Sequence, residues 1–180
     1  RMTHTLPRIS VVTPNYNQAL FLEKTLISVL VQGYPDLDYI VMDGGSDDDS
    51  VDIIKRYADR LSHWESSPDK GQYDAVTRGL GYATGEVMGW INSDDLLTPR
   101  SVELAADRFR ADPELDLVWG FCLVVDADER PLTIQNPYVR EDIRQLRTRR
   151  TFVSQPGSWY SRRAVETVGP LSEDLGYLFD

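Results

Sequence analysis

Four times between residues 8 and 99, a short apolar run gives way to a segment whose apolar positions recur at helical spacing. The runs are RISVVTP (8–14), DYIVMD (38–43), SHWES (62–66) and EVMGWIN (86–92). The first lacks polar alternation, the mark of a strand buried on both faces. Between the runs, Leu22, Leu26, Val29 and Leu30 share one helical face before the stop at Gly33. SVDIIKRYADRL (50–61) reads as a helix capped by Ser50, and a third helix spans Tyr73 to Ala83. A fourth is opened by Thr98-Pro99. This β-α alternation predicts an α/β fold, a parallel sheet with helices on both faces. LDLVWGFCLVVDADERPLTI (115–134) adds a strand, a turn at 126–130 and a return strand, so the sheet is expected to be mixed but mostly parallel. With 41% apolar residues and no linker or repeat, residues 1–180 read as one Rossmann-like domain.

Ligands of such sheets bind outside the carboxyl ends of the strands. Here those ends carry TPNYN (13–17), DGGS (43–46), SPDKGQYD (67–74) and NSDD (92–95), which the topology gathers on one rim. Thr13, Pro14 and Tyr16 belong to the first loop, where a tyrosine can stack on a planar base. Asp43 ends a buried strand ahead of glycines that admit a close ligand, whereas Asp47, Asp48 and Asp49 suit the positive end of the next helix. Gly71 reads as a turn glycine. Asp94 and Asp95 pose a different problem. Two carboxylates about 4 Å apart repel by about 4 kcal/mol at an effective dielectric near 20. Thr98 takes the cap position of the next helix, which leaves them without that role. Mg²⁺ or Mn²⁺, its shell completed by substrate phosphates, removes the repulsion.

A net charge of -10 argues against nucleic-acid binding. Cys122 is the only cysteine, so no disulfide framework exists, and it reads as a buried small hydrophobe. No run approaches a membrane span, so a cytoplasmic setting is expected, with room for peripheral contact at the inner membrane. Arg140, Arg144 and Arg147 give one predicted helix face a basic character, either solvated or facing a phosphate-bearing acceptor. Trp159 suits an acceptor pocket or the core equally, and His4 and His63 are isolated.

ISVVTPNYN, VMDGGSDDDSVDIIKRY, SPDKGQYDAVTRGLGYATGEVMGWINSDD and SQPGSWYSRRAVETVGPLSEDLGYLFD together resemble the inverting family 2 glycosyltransferases of GT-A fold. The likeness keeps motif order over nearly the whole chain and is greatest to soluble bacterial members that build surface polysaccharides. It implies a nucleotide-sugar donor (UDP, dTDP or GDP), a saccharide or lipid-linked acceptor, and Mn²⁺ or Mg²⁺ at NSDD. Asp95 matches the direct metal ligand and Asp94 the neighbour that contacts the ribose or the metal shell. Pro14 and Tyr16 match first-loop nucleotide contacts, Asp43 a base contact, and Asp69 with Gly71 the third nucleotide loop. Asp180 matches the general base, with Glu173 and Asp174 as weaker matches. Two departures matter: Asp43-Gly44 stands where many relatives carry two carboxylates, and Thr77 where asparagine is common. Relatives also continue beyond the position of Asp180, so an incomplete acceptor side is expected.

The rival classes are a non-catalytic nucleotide-sugar binding module and, less well matched, a sugar-phosphate nucleotidyltransferase. TPNYN lacks the glycines and basic residues that a triphosphate loop requires, and no G-x-G-x-x-G follows the first strand.

Overall fold

β1 (Ile9–Asn15) is buried along its whole length because strands flank it on both sides and helices cover both its faces. A computed structural model describes residues 6–135 and 153–171 of the chain. After β1 come α1 (Ala19–Leu30), β2 (Leu37–Asp43), α2 (Ser50–Tyr57), β3 (His63–Ser66), α3 (Gln72–Tyr82), β4 (Val87–Trp90) and α4 (Ser101–Ala111). β5 (Leu117–Trp119), the hairpin β6 (Cys122–Val125) and β7 (Pro131–Gln135), β8 (Ser158–Ser161) and α5 (Arg162–Val168) complete the described elements.

The main sheet runs β3-β2-β1-β4-β8-β5. Its first four strands are mutually parallel, while β8 is antiparallel to both β4 and β5. The mixed, mostly parallel sheet expected from the sequence is therefore present. Adjacent residues of β1 serve opposite layers. Val11 packs with Leu22, Leu26, Ile54 and Val102 of α1, α2 and α4, and Val12 packs with Met42, Ala75 and Met88 on the α3 side. Glycine sets the closeness of that second layer: a Cβ on Gly79 would lie 2.4 Å from Val12 Cγ1 and 3.0 Å from Met42 Cγ.

Three local expectations are corrected. α4 begins at Ser101, two residues after Pro99, because Arg100 adopts a left-handed φ of 68° that a helix cannot continue through. Thr98 instead receives the Ser101 amide and hydroxyl on its carbonyl, at 3.2 and 2.8 Å. Asp49, not Ser50, precedes α2. Cys122 is only half-buried, since it lies on the two-stranded β6–β7 hairpin rather than in the main sheet.

The edge of the sheet opposite the strand ends is closed by a polar cluster. Buried Asp38 accepts hydrogen bonds from the hydroxyls of Ser10 (2.6 Å) and Thr84 (2.8 Å) and from the Thr84 amide (2.8 Å). Its carboxyl is held below the usual range: burial alone pushes it up, and these hydrogen bonds outweigh that. The bonds fasten β1 and β2 to the α3–β4 turn.

Candidate active site

At the carboxyl ends of β1 to β4, the four loops enclose a cleft of about 590 Å³. Pro14, Asn15, Tyr16 and Gln18 line it from the first loop, Gly44 and Gly45 from the second. Pro68, Asp69, Gly71 and Gln72 line it from the third, with Ala75 behind them, and Asn92, Ser93 and Asp94 from the fourth. Tyr16 is 62% exposed, with its ring free to receive a planar group. Asp69 and Asp94 are the only charged side chains in this lining, so no Lys or Arg lines the cleft among the described residues.

The loops are held by hydrogen bonds that cross between them. Asp43 is 2% exposed, and its Oδ1 accepts from Asn15 Nδ2 (2.7 Å) and Ser46 Oγ (2.6 Å). Its Oδ2 accepts from Ser66 Oγ (2.6 Å) and from the amides of Ser46 (2.9 Å) and Gly45 (3.2 Å). Burial alone pushes the Asp43 pKa up; the hydrogen bonds from Ser46, Ser66 and Asn15 overcome this and hold it below the usual carboxylate range. Asn17, itself left-handed at φ 53°, accepts from the Asp47 amide and so ties the first loop to the second. Asp48 bridges two helix starts, accepting from the amides of Ala19 and Ser50, both at 2.9 Å. The structural role expected for the acidic stretch 47–49 thus falls on Asp48.

The fourth loop is braced from beneath by α1. The buried Thr25 hydroxyl lies 2.9 Å from the Ser93 carbonyl and 2.8 Å from that of Asp95. Ser28 Oγ accepts from the Leu97 amide at 3.1 Å. Gln72 Nε2 donates to Asn92 Oδ1 at 2.6 Å, joining the third loop to the fourth.

Of the residues singled out from the sequence, Pro14, Tyr16, Asp69, Gly71 and Asp94 line the cleft. Asp43 does not; it lies beneath the loops with both carboxylate oxygens engaged. Thr13 does not either, because its buried side chain meets the Tyr39 hydroxyl at 2.9 Å. Asp95 is half-buried beside Asp94 and outside the lining. Trp159 is a core residue, 5% exposed, whose ring lies where a Cβ on Gly89 would sit. His63 stacks on Tyr82 at 3.8 Å between ring centroids. Asp180, Glu173, Asp174, His4 and the arginines at 140, 144 and 147 lie outside the described residues. Asn15, Gln18, Gln72 and Thr25 were not singled out: neutral amides and a hydroxyl on a helix carry no distinguishing pattern.

The family model of glycosyl transferase family 2 matches residues 10–169. The chain belongs to that family. Among its relatives, an uncharacterized glycosyltransferase of Mycobacterium tuberculosis is 28% identical over 178 residues, covering 97% of this chain and 66% of its own. A chondroitin synthase of Escherichia coli is 33% identical over 116 residues, covering 63% of this chain and 17% of the relative. Family 2 relatives matched along nearly the whole chain are longer, and this chain spans about two thirds of the mycobacterial one. Among solved structures, the mannosyltransferase PcManGT from Pyrobaculum calidifontis, in complex with GDP-Man and Mn²⁺, is similar with a TM-score of 0.70. It is 23% identical, and the match covers 96% of this chain and 49% of that one. S. aureus TarS 1–349 in complex with UDP-GlcNAc gives a TM-score of 0.54 at 23% identity, over 61% of this chain and 33% of that one. The fold of this family 2 chain is GT-A. Among its described residues, no helix is long and apolar enough to cross a membrane.

Proposed function

We propose that the chain binds a nucleoside diphosphate sugar and transfers the sugar, with inversion, to a hydroxyl of a saccharide or lipid-linked acceptor in surface polysaccharide synthesis. The observation that carries this reading is the cleft itself. Four consecutive strand-end loops converge on it, an exposed tyrosine stands at one side, and among the described residues its only charged lining is acidic. An anionic diphosphate in such a place needs positive charge from outside the lining side chains.

Adjacent Asp94 and Asp95 suit Mn²⁺ or Mg²⁺, which bind one or two carboxylates and take their remaining oxygens from substrate phosphates and water. When bound, the cation stabilises the charge developing on the departing nucleoside diphosphate. The residues of the chain bind and orient. Tyr16 and Pro14 receive the base, Gly44 and Gly45 leave room for Asp69 and Pro68 of the third loop, and Thr25 fixes the backbone that carries Asp94 and Asp95. By its resemblance to the family motif, Asp180 takes the proton of the acceptor hydroxyl.

A thermal-shift panel of UDP, dTDP and GDP, each with and without Mn²⁺, tests the reading. A ligand at 100 times its Kd stabilises the folded state by about 2.7 kcal/mol. In a chain of this size that amounts to roughly 5–10 °C. At least one nucleotide is expected to give such a shift only with Mn²⁺. No shift with any nucleotide, or equal shifts with and without the metal, contradicts it.

A further inference from the structure

α1 turns two kinds of residue inward. Leu22, Leu26 and Val29 are fully buried in the main core, as an amphipathic helix requires. Beside them run Thr25, Ser28 and Gln32, three and four residues apart and so stacked along one edge of the helix. All three bond backbone atoms of the segment that joins β4 to α4. The buried Thr25 hydroxyl shares its proton between the carbonyls of Ser93 and Asp95. Ser28 Oγ accepts from the Leu97 amide. Gln32 Nε2 donates to the Thr98 carbonyl at 3.1 Å, and its Oε1 accepts from the Val102 amide at 3.3 Å.

Residues 92–98 form neither helix nor strand, so no ladder of their own holds them. The α1 side chains that reach them are themselves fixed. The Ser28 hydroxyl donates to the Thr25 carbonyl at 2.8 Å, and Gln32 Nε2 to the Ser28 carbonyl at 2.9 Å. Thr25 stands apart. Valine has its shape and would suit the apolar neighbours, and a buried hydroxyl is costly unless bonded. A helical threonine commonly bonds the carbonyl one turn back, whereas Thr25 directs its proton to the loop. The two carbonyls it holds lie on either side of Asp94, which lines the cleft.

We infer that Thr25, supported by Ser28 and Gln32, is a positioning residue that sets the cation affinity of the cleft. It does so by keeping the fourth loop in the shape in which Asp94 and Asp95 serve one ion. This rests on the donor and cation reading above. A loop already held in its binding shape loses less freedom when the ion and the diphosphate arrive. Outer supports of metal ligands are worth about 10- to 100-fold in affinity.

The test titrates Mn²⁺ into the wild type, Thr25→Val, Thr25→Ser and Ile54→Val at saturating UDP and, separately, GDP. Free Mn²⁺ is read by electron paramagnetic resonance, and the urea midpoint of each protein is measured without ligand. Thr25→Val is expected to weaken Mn²⁺ binding about 10-fold, and Thr25→Ser, which keeps the hydroxyl, to stay within about 2-fold of wild type. Ile54→Val trims the buried core on α2, so it should lower the urea midpoint while leaving Mn²⁺ affinity unchanged. If Thr25→Val does not fold, Ser28→Ala at its half-buried position replaces it, with an expected loss of about 3-fold. Mn²⁺ affinity that is unchanged without the hydroxyl, or lost equally in Thr25→Ser or Ile54→Val, overturns the role of Thr25 and leaves the donor reading standing. A wild type whose Mn²⁺ binding does not depend on either diphosphate overturns both together.

Discussion

Asp94→Ala and Asp95→Ala are each expected to abolish the Mn²⁺-dependent stabilisation by nucleoside diphosphate, the largest functional effect foreseen for single substitutions in this chain. The reasoning is electrostatic. Among the described residues the cleft lining offers a diphosphate no Lys or Arg, so a cation would supply the attraction that neutral amides cannot. Losing one of two carboxylates removes a hard ligand and half the local negative charge that recruits the metal. The scaffold of the loop remains, because Thr25 grips the carbonyls of Ser93 and Asp95 and the Asp95 amide bonds the Asn92 carbonyl at 3.1 Å. For exposed Asp94, the unfolding free energy without ligand should stay within about 0.5 kcal/mol of wild type. Full Mn²⁺-dependent shifts in both variants would place the metal elsewhere or remove it from the account.

Asp43→Ala is expected to act in the opposite manner, with a large loss of stability before any ligand is added. It strands donors from Asn15, Gly45, Ser46 and Ser66, drawn from β1, the second loop and the end of β3. Unsatisfied buried donors cost about 1–3 kcal/mol each, and local relaxation brings several of them to about 3 kcal/mol in sum. For 180 residues this lowers the melting temperature by roughly 6–12 °C. The pH dependence has a definite sign. The folded pKa of Asp43 is depressed, so its contribution is complete above the unfolded value near 3.9 and is lost as pH falls through the folded value. Asp38 behaves likewise. Wild type should therefore lose stability below about pH 4 more steeply than Asp43→Asn, as urea melts across pH 2 to 7 would record. Parallel pH profiles would show that the Asp43 carboxylate is not held as described.

The order of strands and helices could be read from the sequence because β1 to α4 obey simple periodicities, and the rim of four loops follows from strand direction alone. β8 was less legible. SWYS is four residues with no alternation, and its partners Met88 and Val118 are distant in the chain. Nothing local marks it as the strand inserted between β4 and β5. The start of α4 was misplaced because Thr98-Pro99 mimics a cap, while the left-handed Arg100 that delays the helix has no sequence signature. Within the site, a carboxylate at a strand end reads alike whether it lines the cleft, as Asp69 and Asp94 do, or lies under the loops, as Asp43 does. Only the cross-loop hydroxyls of Ser46 and Ser66 separate the two cases. Thr25 was invisible for a similar reason: a buried threonine on an apolar helical face gives no hint that it braces a loop about seventy residues away.

The cleft is expected to acquire its cation together with the nucleotide. Mn²⁺ binding followed by electron paramagnetic resonance, alone and with saturating UDP or GDP, addresses it directly, with UMP and GMP as controls lacking the second phosphate. Weak binding alone, at least ~10-fold tighter binding with the matching diphosphate and little gain with the monophosphates is the predicted result, because the phosphates complete the shell. Mn²⁺ affinity that is the same with and without diphosphate would contradict it.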